Sequence, residues 1–378
     1  MPEEIMLENI ARRAPLENLT IESRPAFFAA RDGKQTQGHA EVTISRASLA
    51  IRFCAEGDFT VEKAPYGEAS GSLAAQNEGW SARQVNDAGV ATNGDRLFST
   101  MALAVGQAKA SDVAATRLVV AGAAWSGKGT LDGRRVIVHK LSRDTVSHHD
   151  HRLTITVEGH LDEPAIETIG RACSFVTGLD VEILRVERYS ATGDLLQVEH
   201  RRGYRRVGRG PHSPFTGVPD EDRMRAWIAL VEAFPRLIKA GVPIDMIVDQ
   251  ISAHNQVSQI HVSATLLLMA TVTAAHQSLH GDEVGPPSAS RRKELEQLDR
   301  DLKLGLTEED FQRYDSVRVE LLDAGFFHKP GYETGRPQRD IKFLRDLAHA
   351  IVFRLCGYSG PFYGAESFVV RELKAAPR

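Results

Sequence analysis

The chain has 378 residues, 42% of them hydrophobic and 25% charged, a globular composition that excludes fibrous, disordered and membrane-spanning classes. At more than twice about 150 residues it favours two domains over one. Lysines and arginines number 46 against 50 acidic residues, a formal net charge of -4, so any nucleic-acid binding has to come from a local patch.

The opening MPEEIMLENIARRAP is acidic and lacks the basic-then-apolar order of a secretory signal, so the expected location is the cytoplasm. Five short, β-branched runs then read as strands: 41–45, 49–53, 117–120, 135–139 and 152–157. Asp32-Gly33, Asn93-Gly94 and Asp132-Gly133 are turn signals between them. Long amphipathic crossovers are missing, so antiparallel pairing in a β-sandwich or curled sheet is expected. The Gly-, Ala-, Ser- and Asn-rich stretch 65–113 reads partly as long loops. A helix over 164–176 ends at Gly178, and charged strands over 181–188 and 195–204 close the first domain.

Residues 208–219 hold three prolines and three glycines, too many for a regular element, and are read as a linker. The expected organisation is α+β: an antiparallel, sandwich-like β-rich domain over 1–207, then an α-helical bundle over 220–378. In the bundle, Asp220 is the expected N-cap of a helix that Pro235 kinks or ends, and a second helix begins near Ile244. The apolar run 262–275 is shorter than the roughly 18 to 20 residues a membrane span needs, so it reads as a central bundle helix. A charged helix over 291–303 and one capped by Thr307 follow. The last helix carries Ile341, Leu344, Ala348, Ile351 and Leu355 on one stripe and stops at Gly357.

Several motifs have modest readings. Gly122 to Thr130 resembles a phosphate-binding loop, but Gly129 stands at the hydroxyl position and a strand follows where a helix is required, so a glycine-rich hairpin is expected. His148, His149 and His151 are adjacent donors that a strand would point to opposite faces, and His276 and His280 lack the glutamate of a metalloprotease motif. No metal and no cofactor is expected. Cys54, Cys173 and Cys356 are too scattered for a disulfide framework and read as reduced core residues.

Two constellations point to nucleic acid. Arg201, Arg202, Arg205, Arg206 and Arg209 surround Tyr204, an array able to neutralise phosphates and stack on a base, or else to form a solvated strand end paired with Glu187 and Glu199. On the last helix, Arg345 and His349 stand four apart with Asp346 between them. They share a face whose partly apolar flank is suited to meet a second subunit. Such a pair suits RNA cleavage: histidine moves the proton and arginine stabilises phosphorane charge. A surface histidine beside a salt-bridged arginine is the plainer alternative.

With its β-rich part first, the Cys173-Ser-Phe-Val-Thr-Gly178 segment, the apolar helix around Leu266 and Arg345-Asp-Leu-Ala-His349 late in the chain, the sequence resembles the bacterial proteins that join a β-rich domain to a HEPN-like helical domain, the ApeA-type antiphage proteins among them. The resemblance implies a homodimer formed through the helical domain and a metal-independent endoribonuclease acting on RNA in antiphage defence. Arg345 and His349 would be its catalytic pair and Asp346 the polar residue after the arginine. Those ribonucleases usually separate arginine and histidine by four to six residues, against three here. The alternative is a non-enzymatic recognition protein whose helical part only dimerises.

Overall fold

The computed structural model describes residues 3–13, 19–30, 32–45, 48–56, 71–75, 80–90, 96–123, 125–141, 152–178, 181–201, 213–248, 262–280, 291–322, 336–364 and 369–373. The class is α+β, with a large antiparallel sheet and a set of helices. The chain forms two compact units: Met1–Ala121 with Arg134–Leu161 and Glu182–Arg206, and Gly122–Gly133 with Asp162–Val181 and Val207–Arg378. The segments 122–133 and 162–181, expected in the first domain, instead group with the helices.

The first unit opens with helix α1 (Glu3–Arg12) and holds strands β1 (Leu19–Ala30), β2 (Gln35–Ser45), β3 (Ser48–Ala55), β4 (Gly71–Ala75), β5 (Trp80–Val90), β6 (Arg96–Gly106) and β7 (Ala115–Ala121). Strand β8 (Gly127–Leu131) belongs to the second unit, and β9 (Arg134–Lys140), β10 (Arg152–Glu158), β11 (Glu182–Tyr189) and β12 (Leu195–Arg201) to the first. Within the first unit the order is β3-β2-β1-β4-β5-β6-β12-β11-β7-β10-β9.

A sandwich is not what forms. Strand β3 also pairs with the start of β6, from Ala50↔Ser99 to Phe53↔Arg96, while the end of β6 pairs with β12 from Ala102↔Arg201 to Gly106↔Gln197. Strands β1 to β6 thereby close into a barrel, and the sheet runs on from β6. Closure gives the edges of β3 and β6 to one another, which removes exposed donors and acceptors without a second sheet. The barrel is filled by alternate residues, including Phe28, Val42, Ile51, Phe53, Leu73, Trp80, Val85, Phe98 and Leu103. The Phe28 and Phe98 rings stack at 5.2 Å, and Phe53 meets Phe98 edge-on at 6.5 Å. Strands β4 to β6 occupy part of the region read as loops, because their Gly, Ala and Ser content hides the alternation.

The second unit holds α2 (Glu163–Thr177), α3 (Asp220–Lys239), a helical stretch at 244–248, α4 (Val262–His280), α5 (Arg291–Leu302), α6 (Glu308–Leu322) and α7 (Arg336–Leu355). Asp162 caps α2 by accepting from the Ala165 amide at 3.0 Å, and Gly178 ends it in a left-handed conformation. Pro219, not Asp220, is the N-cap of α3, and Asp220 instead accepts from the Ser126 amide at 3.1 Å. The helix runs through Pro235 to Lys239. Thr307 does cap α6, exchanging bonds with Asp310.

Two features explain why α2 groups here: it packs against α3, and its Phe175 ring meets those of Phe234 at 6.4 Å and Phe353 at 5.3 Å. Residues 213–219, expected to be linker, are turns that belong to the same core. Phe215 is fully buried, and Ser213 Oγ donates to the Val176 carbonyl at 3.0 Å. The phosphate-loop lookalike is strand β8. A Cβ on Gly127 would stand 3.0 Å from Met224 Cγ, and one on Gly129 2.5 Å from Ile228 Cδ1, so these glycines let β8 lie close on α3. The unit does not end in helix: β13 (Pro361–Gly364) and β14 (Val369–Glu372) form an antiparallel pair after α7. No helix among the described residues is long and apolar enough to cross a membrane.

Candidate functional site

The residues expected to cleave RNA lie on α7, where the described side chains from Phe343 to Phe353 are all buried. Arg345 is 3% exposed, Asp346 3% and His349 2%. The flank expected to face a second subunit is therefore interior to the unit. It is covered from α2 by Phe175, whose ring meets His349 edge-on at 5.1 Å, and from the next turn of α7 by Phe353, stacked 6.3 Å away. The terminal pair of strands adds cover, since Phe362 lies 6.0 Å from Phe353 and the Tyr363 amide donates to the Pro214 carbonyl at 2.6 Å.

Arg345 and His349 do come together, as their spacing requires: the imidazole hydrogen-bonds the Arg345 backbone carbonyl. Its Nε2 meets no hydrogen-bond partner among the described residues. Burial, then the Arg345 guanidinium, push the His349 pKa down to about 3. Burial also lowers Arg345, against the opposing effect of Asp346. A histidine at about 3 is protonated in roughly one molecule in ten thousand at pH 7, which makes it a poor proton donor to a leaving group.

Of the nucleic-acid array, Arg201 is described, and it is held by Glu199 at 2.9 Å, one of the two acidic neighbours of the alternative reading. Arg202, Tyr204, Arg205, Arg206 and Arg209 lie outside the described residues, as do His148, His149 and His151. His276 and His280 share a face of α4 with rings 4.6 Å apart. Gln297 on α5 bridges them, 3.0 Å from His276 Nε2 and 3.2 Å from His280 Nδ1, and Asp301 Oδ2 lies 2.9 Å from His280 Nε2. This is a clamp between two helices, and no group of three or more metal donors occurs among the described residues. Cys173 and Cys356 are buried, whereas Cys54, expected in the core, is exposed.

A second polar constellation, singled out by no motif, lies in the first unit. Arg117 on β7 is 1% exposed, with Arg185 at 4% and Glu187 at 2% on β11 and His200 at 8% on β12. Glu187 accepts from Arg117 Nη1 at 3.2 Å and from the Tyr189 hydroxyl at 2.6 Å, and its Oε1 forms an ion pair with Arg185, 2.8 Å from Nε. Arg117 Nη2 also donates to the Arg13 carbonyl just past α1. Burial, then Arg185, lower His200 to about 4, while burial and Glu187 raise Tyr189 to about 12. The sequence signal was the alternation Arg185, Glu187, Tyr189 on one strand face, which reads equally well as a solvated face.

No protein-family model, no curated protein and no solved structure matches this chain.

Proposed function

We propose that the protein is a non-enzymatic recognition protein, in which the helical unit is a structural partner to a β-rich unit that binds the ligand. The observation that carries this reading is the burial of Arg345, Asp346 and His349. A ribonuclease built on this pair needs the imidazole in reach of a ribose hydroxyl and near its ordinary pKa. Here the ring is enclosed by Phe175 and Phe353 and held neutral. The three-residue separation, shorter than in the ribonucleases the chain resembles, points the same way. In this reading the pair packs α7 into its unit.

The test is incubation of the purified protein and its His349→Leu variant with total RNA and transfer RNA in EDTA, with thermal unfolding measured in parallel. The expected result is intact RNA with both proteins and a changed melting temperature for the variant. Cleavage by the wild type, lost in a variant that unfolds at the same temperature, would replace this reading with a metal-independent ribonuclease.

A further inference from the structure

The register of the sheet in the first unit gathers the buried constellation around one small residue, Val119. Its direct neighbours are Thr154 on β10 and Arg185 on β11. Thr156 and Arg152 on β10 and Glu187 on β11 are diagonal neighbours, and Arg117 is two residues away on β7 itself. Direct neighbours in a sheet have Cβ atoms about 5 Å apart and diagonal ones about 7 to 8 Å, within reach of arginine. A register shift between Ile183 and Arg185 sets Arg185, not Leu184, opposite Val119, which is how a bulge re-aims a side chain. His200 stands across from Arg185 on β12.

Buried polar atoms at this place go unpaired, two arginine Nε donors among them. Arg117 Nε, Arg152 Nε, Thr156 Oγ1 and His200 Nε2 are buried and meet no hydrogen-bond partner among the described residues. Each such group left alone costs about 1 to 3 kcal/mol, so a cluster of them is not explained by packing. Charge is unbalanced too. Glu187 serves both Arg117 and Arg185, Arg152 adds its charge to the field at Arg185, and Arg12 and Arg117 both bear on His139 across β10. Glu182, in register with Ala121 beside Arg152, is the other carboxylate on these strands at that end.

We infer that the face around Val119 is a binding site for one phosphate group, carried by a small ligand or free, which Arg117, Arg152 and His200 hold with Thr156. Arginine forks and ring N–H groups match phosphate oxygens, and a buried cationic setting favours a dianion over a singly charged carboxylate. Donors this deep reach a terminal phosphate and not the diester backbone of a nucleic acid. Glu187 keeps Arg117 and Arg185 in place and repels anions that bring too few acceptors to offset it. Tyr189, with Leu7 and Ile10 of α1, walls the face on one side.

The inference rests on the recognition reading only in naming its ligand, and one set of samples separates the two. Calorimetric titration of the full chain with inorganic phosphate, and with a nucleoside monophosphate, is run at constant ionic strength beside Arg152→Met and His200→Phe variants and the RNA assay above. The result expected is saturable binding by one or both probes, weakened at least tenfold in Arg152→Met with the fold kept, as circular dichroism reports. Tighter saturation by the monophosphate assigns a small-molecule ligand, and saturation by phosphate alone assigns the ion. Absence of saturable binding by either probe, or binding untouched in both variants, overturns the site. RNA cleavage would overturn the recognition reading and leave the phosphate result standing.

Discussion

Enclosing an imidazole between phenylalanine rings couples its proton to folding. His349 has a pKa of about 3 in the folded chain against an ordinary 6.5, so between those values the unfolded chain binds the proton and the folded chain does not. Its contribution is therefore fully present above pH 6.5 and is lost as pH falls toward 3. Denaturant unfolding at pH 7.5 and pH 5 is expected to show the wild type losing about 2 kcal/mol more than His349→Leu. Equal losses would place the ring in water. His200, also lowered, and His139 contribute the same background to both chains and cancel. Glu187 makes a second residue-scale prediction, since at 2% exposure it accepts from Arg117 and Tyr189 and forms an ion pair with Arg185. Its replacement by glutamine strands buried charge, and the melting curve is expected to report a loss of about 3 to 5 kcal/mol. Neither burial was legible beforehand. Arg345, Asp346 and His349 interrupt an apolar stripe as residues on a solvated flank do, and only the neighbours Phe175 and Phe353 show that this flank is inside.

Among the elements, those with strong alternation or defined caps were readable. The runs at 117–120, 135–139 and 152–157 lie within β7, β9 and β10, and α2 ends at Gly178 as its αL signal requires. Strands β4 to β6 were not, because small residues carry little pattern, nor was β13, only four residues long. One barrel glycine has a packing reason. A Cβ on Gly38 of β2 would collide with the Cys54 carbonyl oxygen and stand 2.8 Å from Phe53 Cζ and 3.0 Å from Ala55 Cα. Since β3 is paired with β2 along its whole length inside a closed ring, the backbone has little room to yield. Gly38→Ala is expected to cost about 2 kcal/mol by denaturant unfolding. A change below about 0.5 kcal/mol would show that the barrel gives way there.

At the scale of the molecule, a β-rich part followed by a helical part was evident from composition and pattern. Their division was less so, because a linear reading assigns continuous segments, while 122–133 and 162–181 join the helical unit through β8 on α3 and Phe175 on Phe353. Closure into a barrel depends on β3 meeting β6, strands some forty residues apart, which local periodicity does not encode. In this structure His349 is a buried, neutral packing residue and not an acid or base open to solvent. Among the chain's 14 histidines, its ring signal is identified by its loss in His349→Leu, and it can be followed by NMR from pH 8 to pH 4. The predicted result is a resonance that stays neutral throughout; titration near 6.5 would contradict the account and restore the imidazole as a candidate for catalysis.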